Sequence, residues 1–251
     1  MHMIKKLILF LLLGSSSLSL VAAKQVFSGS NALSDMTFDV LKMSGASRLT
    51  KVVANELDCS GRLNFFDLTV HNDFTRSGSM TGEKLVAKTC CFSGRSSLQD
   101  AEIESLVSSG KFNATKLHVK KDFTVSGSCE VENLTLGGKL HSSGTIILRD
   151  SAVHDLRCAN KARLYDTIVD GTIVVDCSNS SYTSWTTDIG WLKWIVSWFV
   201  SSNDDDHHVL YLHSKTKVSG AITFKDGNGI VYCDKTAEVV GAVNGGKIIK
   251  K

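Results

Sequence analysis

Residues 93–110 read SGRSSLQDAEIESLVSSG, a segment that opens and closes on the same dipeptide. Ser-Gly stands at Ser28-Gly29, Ser44-Gly45, Ser60-Gly61, Ser77-Gly78, Ser93-Gly94, Ser109-Gly110, Ser126-Gly127 and Ser143-Gly144, in steps of 16 or 17 residues. A fixed short period marks stacked repeats. The interval is too short for a helix pair or a leucine-rich repeat, and it suits one coil of a β-solenoid with three short strands and three corners. Glycine permits the positive φ or close approach that a corner needs, and serine bonds its own backbone there.

Counting from each Ser-Gly aligns the coils. The sixth position holds Leu33, Leu49, Phe65, Gly82, Leu98, Ala114, Val131 and Leu148. The ninth holds Met36, Val52, Leu68, Leu85, Ala101, Leu117, Leu134 and Ser151, and the eleventh Phe38, Ala54, Val70, Ala87, Ile103, Val119, Leu136 and Val153. A fourth apolar column holds Leu41, Leu57, Phe74, Leu106, Phe123, Leu140 and Leu156. Positions two apart share one face of a strand, so these columns predict a narrow, dry core. The chain has no proline, which suits fully laddered strands.

The eighth position alternates in sign over six coils: Asp35, Lys51, Asp67, Lys84, Asp100 and Lys116, followed by Asn133 and Asp150. Read as an outward column, it predicts a structural charge ladder that specifies register through cross-strand pairs of about 0.2–1 kcal/mol each. A ninth coil is expected near Ala159, with Leu164, Val169 and Ile173 continuing the core. There the Ser-Gly is lost and Asp166 falls over Asp150, so the regular stack is expected to end.

The remaining segments differ in kind. Lys5 and Lys6, the apolar run Leu7 to Leu13 and the small-residue site Val21-Ala22-Ala23 read as an export signal over residues 1–23, cleaved after Ala23. Coils are expected over 24–177. Residues 178–208 read as an insertion whose Ile189 to Val200 (IGWLKWIVSWFV) forms a short helix too short to cross a membrane. Trp191, Trp194 and Trp198 fall on one helical face, with Trp185 ahead and Phe199 beside them. This segment is expected to cover an end or flank of the rod, to lie in a membrane interface, or to contact a subunit or partner through residues 185–200. Asp204-Asp205-Asp206-His207-His208 reads as a solvated acidic turn rather than a metal site. Beta patterning returns over 209–251, where Val218-Ser219-Gly220 and Val240-Gly241-Ala242-Val243 repeat a corner and Lys247, Lys250 and Lys251 guard the end.

Removing residues 1–23 takes away two lysines and no acidic residue, lowering the formal net charge from +3 to +1. Near-neutrality argues against nucleic acid as a partner. Seven cysteines occur without a Cys-x-x-Cys spacing, so most are expected as small core residues. Cys158 and Cys177, about one coil apart, are the candidate disulfide. No catalytic, metal or cofactor set is expected.

The triangular coil near 17 residues, with corners written Val125-Ser126-Gly127, Val218-Ser219-Gly220-Ala221-Ile222 and Val240-Gly241-Ala242-Val243, resembles the bactofilins, bacterial polymer-forming cytoskeletal proteins. The resemblance covers residues 28–176 and 209–246. It implies a right-handed β-helix that scaffolds by self-assembly; the general rule for parallel crossovers gives the same hand. The export signal and the Trp-rich insertion depart from that family.

The expected architecture is thus all-β, a single three-sided parallel β-solenoid with a helical insertion. The expected function is a non-enzymatic, exported structural or surface-interaction protein of the periplasm, outer surface or medium. It assembles with itself through solenoid ends or the Trp-rich segment. A polysaccharide-binding or polysaccharide-cleaving β-helix is the alternative, since long β-helices host such enzymes by analogy. Asp35, Asp67 and Asp100 are interleaved with lysines, and His71, His118, His141 and His154 scatter over several columns, so no clustered active site emerges. A hexapeptide-repeat acyltransferase would need a six-residue rhythm that is not present.

Overall fold

The structure is a computed structural model that describes residues 21–159, 161–176 and 208–251, with side chains from Lys24 onward. Among these residues the only regular elements are strands. The first, β1 (Val21–Val119), is a continuous ribbon of 99 residues that coils without breaking its ladder. It starts at Val21 and so includes the backbone of the expected cleavage site. It is followed by β2 (Phe123–Ser142), β3 (Thr145–Arg149) and β4 (Ala152–Cys158). From there each coil resolves into three strands. These are β5 (Ala162–Tyr165), β6 (Ile168–Val169) and β7 (Ile173–Val175), then β8 (His208–His213), β9 (Lys217–Val218) and β10 (Ile222–Phe224). The rod closes with β11 (Gly229–Cys233), β12 (Glu238–Val239), β13 (Val243–Asn244) and β14 (Gly246–Lys250).

All pairings are parallel, and each residue meets its equivalent one coil on: Leu106 with Phe123, Gly110 with Gly127, Leu117 with Leu134. The order β3-β5-β8-β11-β14 runs along the first face. Strands β6, β9 and β12 form the second, and β7, β10 and β13 the third; β4 bends at its middle and serves both. This is the three-sided parallel β-solenoid that the Ser-Gly period predicts.

Two of the corners need unusual backbone. At the first, Gly45, Gly61, Gly78, Gly94, Gly110 and Gly127 have φ between +94° and +113°. A Cβ on any of them would collide with the carbonyl oxygen of the glycine one coil earlier. Glycine is required there both by conformation and by space. At the second corner the eighth-position residues, Asp35 through Asp166, have φ of 47° to 61°. They occupy the left-handed turn. The third corner carries Gly171, Gly220 and Gly241, stacked on one another or on His154. Val218-Ser219-Gly220 and Val240-Gly241 therefore mark this third corner, a correction to their reading as the Ser-Gly corner.

The four apolar columns are buried as expected, except that Met36 is 46 % exposed. It stands in the first coil that the glycine column defines, and no described coil covers it on the N-terminal side. Cys90, fully buried, fills the gap between Phe74 and Leu106 in the fourth column. Gly82 sits in an apolar column because the ring of Phe65 occupies the space its side chain would take. A large ring in one coil thereby fills the space that its neighbour leaves, as tight packing demands.

Two further inward columns flank the first corner, and hydrophobic periodicity does not reveal them. Before the glycine stand Met43, Cys59, Arg76, Phe92, Ser108 and Val125; after it stand Ser47, Leu63, Met80, Ser96, Phe112 and Cys129, all buried. Large and small residues face each other across the corner, as in Phe92 with Ser96 and Ser108 with Phe112. Arg76 is only 1 % exposed. Its Nη1 donates to the carbonyls of Ser93 (3.3 Å) and Arg95 (3.2 Å) and to Ser96 Oγ (3.3 Å), while Nε and Nη2 have no partner. Burial draws its pKa below the ordinary value, opposed by Cys59. Burial likewise pushes the Cys59 thiol up to about 12, with Asp58 adding and Arg76 opposing, so Cys59 stays a neutral thiol rather than a counter-ion.

The glycine column yields a graded test. Gly29, at φ +85°, has open space where its Cβ would lie, so Gly29→Ala should cost about 1 kcal/mol for conformation alone. Gly94→Ala adds the clash with Gly78 O and should cost about 3–5 kcal/mol. Thermal melts of the two variants check this; equal losses would mean that spacing does not constrain the corner.

Candidate interaction surface

The left-handed corner explains why Asp and Asn recur in the eighth column, since their short polar side chains tolerate φ > 0 best. An all-Asp column would stack carboxylates about 4.8 Å apart, each repelling the next by about 1 kcal/mol in water and about 3 at an effective dielectric of 20. A left-handed lysine costs about 1 kcal/mol. Interleaving Lys51, Lys84 and Lys116 between Asp35, Asp67 and Asp100 is thus the cheaper arrangement. No ion pair within 4.0 Å links these six residues. Ser34 Oγ instead donates to Asp35 (2.5 Å), and Lys84 Nζ lies 4.8 Å from the centre of the Phe66 ring. Closed pairs stand elsewhere, such as Lys42–Asp58 (3.3 Å), Lys120–Glu102 (2.6 Å) and Lys121–Glu104 (2.6 Å). Their hydrogen bonds and charge hold both glutamates below the usual carboxylate range.

The stack does not end at Asp166. The N–H of Lys215 in the next coil donates to Asp166 Oδ1 (3.3 Å), and that of Lys217 to the Thr167 carbonyl (2.9 Å). Ala162 pairs with Leu210 and Cys158 with Val175, so Asp176 and His208 hold consecutive places on one coil. The segment 177–207 leaves and returns at the first corner, and the ladder crosses it in register. The Trp-rich stretch therefore interrupts the chain within the rod and does not follow its last coil. Trp185, Trp191, Trp194, Trp198, Phe199 and Cys177 lie outside the described residues, as do Asp204 to His207 of the acidic turn.

The root of this segment is polar. Asp176, 2 % exposed, takes Arg157 Nη2 and Lys225 Nζ (2.5 Å) on the same oxygen. A notch of about 230 Å³ lined by His141, Ser142, Arg157 and Asp176 lies beside it. His208 Nε2 pairs with Asp226 (3.2 Å). Cys158 is buried next to this root, and the Asp176 N–H donates to its carbonyl (2.9 Å). Cys59, Cys90, Cys129 and Cys233 are buried thiols and Cys91 an exposed one. Burial pushes Cys129 up to about 12 and Cys90 well above its ordinary value, the behaviour of small core residues.

On the first face two stacks tie the coils on either side of the insertion. Arg149 lies 4.5 Å from the Tyr165 ring centre, which stacks at 4.5 Å and 9° on His213. Beside it Arg163 (5.6 Å) and Lys161 (5.3 Å) cover Tyr211, which stacks at 5.2 Å on Tyr232, itself covered by Lys251 at 4.2 Å. Each face of these three tyrosine rings meets a cation or another ring.

Two outcomes follow from these arrangements. Lys84→Asp should lower stability by about 1 kcal/mol or more, relieved by salt, whereas Lys84→Asn should hold or raise it; salt-independent melts of Lys84→Asp would remove the repulsion argument. Joining Asp176 directly to His208 should leave the far-ultraviolet circular dichroism per residue and the cooperative melt intact, because one regular coil is restored; loss of the melt would show that 177–207 supports the rod. Comparison with protein-family models, curated proteins and solved structures finds no match for this chain.

Proposed function

We propose that the protein is a non-enzymatic rod, exported from the cell, that acts as a structural or surface-interaction element. The observation carrying this reading is the unbroken register across residues 177–207. A ladder that carries a side segment at one corner without yielding is built as a rigid mount. The Trp-rich segment is then its adapter toward a membrane surface or a protein partner. The bactofilin resemblance belongs to the same proposal, as a likeness of coil and corner.

Self-assembly through the ends is part of the reading. Val26 (67 % exposed) and Met36 lie uncovered toward one end, Val240 (59 %) and Ile248 (41 %) toward the other. Met36 and Ile248 belong to inward columns that no further described coil covers, and open edges template further strands. Light scattering across concentrations tests it. The full chain should grow in mass, and Met36→Lys with Ile248→Lys should abolish growth while leaving the melt unchanged. A strictly monomeric protein at all concentrations would overturn the assembly reading.

A further inference from the structure

Five of the seven arginines of the chain, Arg48, Arg62, Arg95, Arg149 and Arg163, point outward from the first face. The glycine ruler places Arg62, Arg95, Lys111 and Lys161 in one column, directly after the corner glycine. Arg48, Arg62, Arg95, Lys111 and Lys161 are exposed and Arg163 is half-buried, and none of the six has a carboxylate within 4.0 Å among the described residues. Arg149 does pair, with Glu130 at 3.4 Å. Between residues 46 and 115 the only carboxylate on this face is Glu83. The chain is close to neutral, yet this face is basic.

The chemistry between the cations is equally ordered. Asn64, Thr81, Ser97 and Asn113 form the adjacent outward column. They are short hydrogen-bonding side chains on a flat sheet face. A shallow groove of about 180 Å³ lies at the far edge of this stretch, beside Ser97 and Asn113, where Glu130, Glu132 and Arg149 also line it and bound the basic surface. Coils about 4.8 Å apart put Arg62 and Arg95, two coils distant, about 10 Å apart along the axis.

We propose that this face binds a linear acidic polysaccharide lying along the rod, its carboxylate or sulfate groups on the arginine and lysine column and its hydroxyls on the Asn/Thr/Ser column. Charge complementarity selects a polyanion. A single-stranded nucleic acid would want free aromatic faces for its bases, but on this face Phe66 lies under Lys84 and Tyr165, Tyr211 and Tyr232 are covered on both sides. A membrane surface would want apolar wedges, and Phe66 is the only large exposed apolar residue on the stretch. The inference rests on the reading of the protein as an interaction rod and names its partner and face.

The test is titration calorimetry on the full chain with polygalacturonate and heparin, alongside neutral dextran, phosphatidylglycerol vesicles and single-stranded DNA. Both acidic glycans should bind, dextran should not, and about 0.5 M salt should abolish binding as the screening length shrinks to a few Å. Arg62→Gln with Arg95→Gln and Lys111→Gln should weaken binding about tenfold or more for three lost contacts. The charge-matched set Lys88→Gln, Lys139→Gln and Lys235→Gln, off this face, should change it less than about threefold. No glycan binding, equal loss in both sets, or tighter binding to vesicles or DNA would overturn the proposal. Melts and light scattering on the same samples separate this from the assembly reading: a folded, self-associating chain that ignores acidic glycans removes the face alone.

Discussion

The fold depends on how closely one corner can approach the next. At the first corner each glycine sits against the carbonyl oxygen of the glycine a coil earlier, in a backbone region that L side chains avoid. Sheet hydrogen bonding sets the spacing of coils, and the corner must meet that spacing without a side chain. Once it does, equivalent positions stack on equivalent positions, and the core becomes a set of columns. The trade between Phe65 and Gly82, and the alternation of large and small residues on either side of the corner, then follow from filling a fixed cross-section.

Much of this was legible because the Ser-Gly dipeptide acts as a ruler. It predicted period, parallel stacking and four buried columns, missing only the exposure of Met36 at the edge of the described coils. Three things were hidden. The columns flanking the corner mix Met, Cys, Arg, Ser and Phe, so no hydrophobic rhythm betrays them, and the buried Arg76 is invisible to any pattern search. The eighth column was read through its charges, although Asp, Asn and Asp at one recurring place already signal left-handed backbone. Val218-Ser219-Gly220 copies the letters of the first corner while standing on the third, because two corners of the triangle ask for the same small residue. Of the candidate surface, the cation column lay one place after several of the glycines and could have been read by the same ruler; the stack of Tyr165 on His213 could not, because residues 177–207 intervene and set its partners 48 apart.

Charge is used in two ways on this rod. On the flanks, lysine and glutamate from neighbouring coils close on each other, as Lys120 with Glu102 and Lys121 with Glu104; such exposed pairs add little stability but keep the surface neutral. On the first face most cations stand without a closing carboxylate. The left-handed corner column separates these regimes, spacing its carboxylates with lysine to relieve repulsion rather than to form contacts. A single overall charge therefore describes the chain poorly, and a partner would meet a different molecule on each side.

The passage from Asp176 to His208 also bears on how the chain finds its structure. Neighbouring coils elsewhere are joined through contacts 16 to 21 residues apart in sequence, whereas Thr167 reaches Thr216 across 49. Closing the longer loop costs about 1 kcal/mol more in chain entropy, a modest sum thermodynamically, but it falls on one joint. Pairing elsewhere is nearly local, and local pairing is fast. The long N-terminal stack can therefore zip coil upon coil, while β8 to β14 must wait for a finished edge, β5 to β7, to serve as their template.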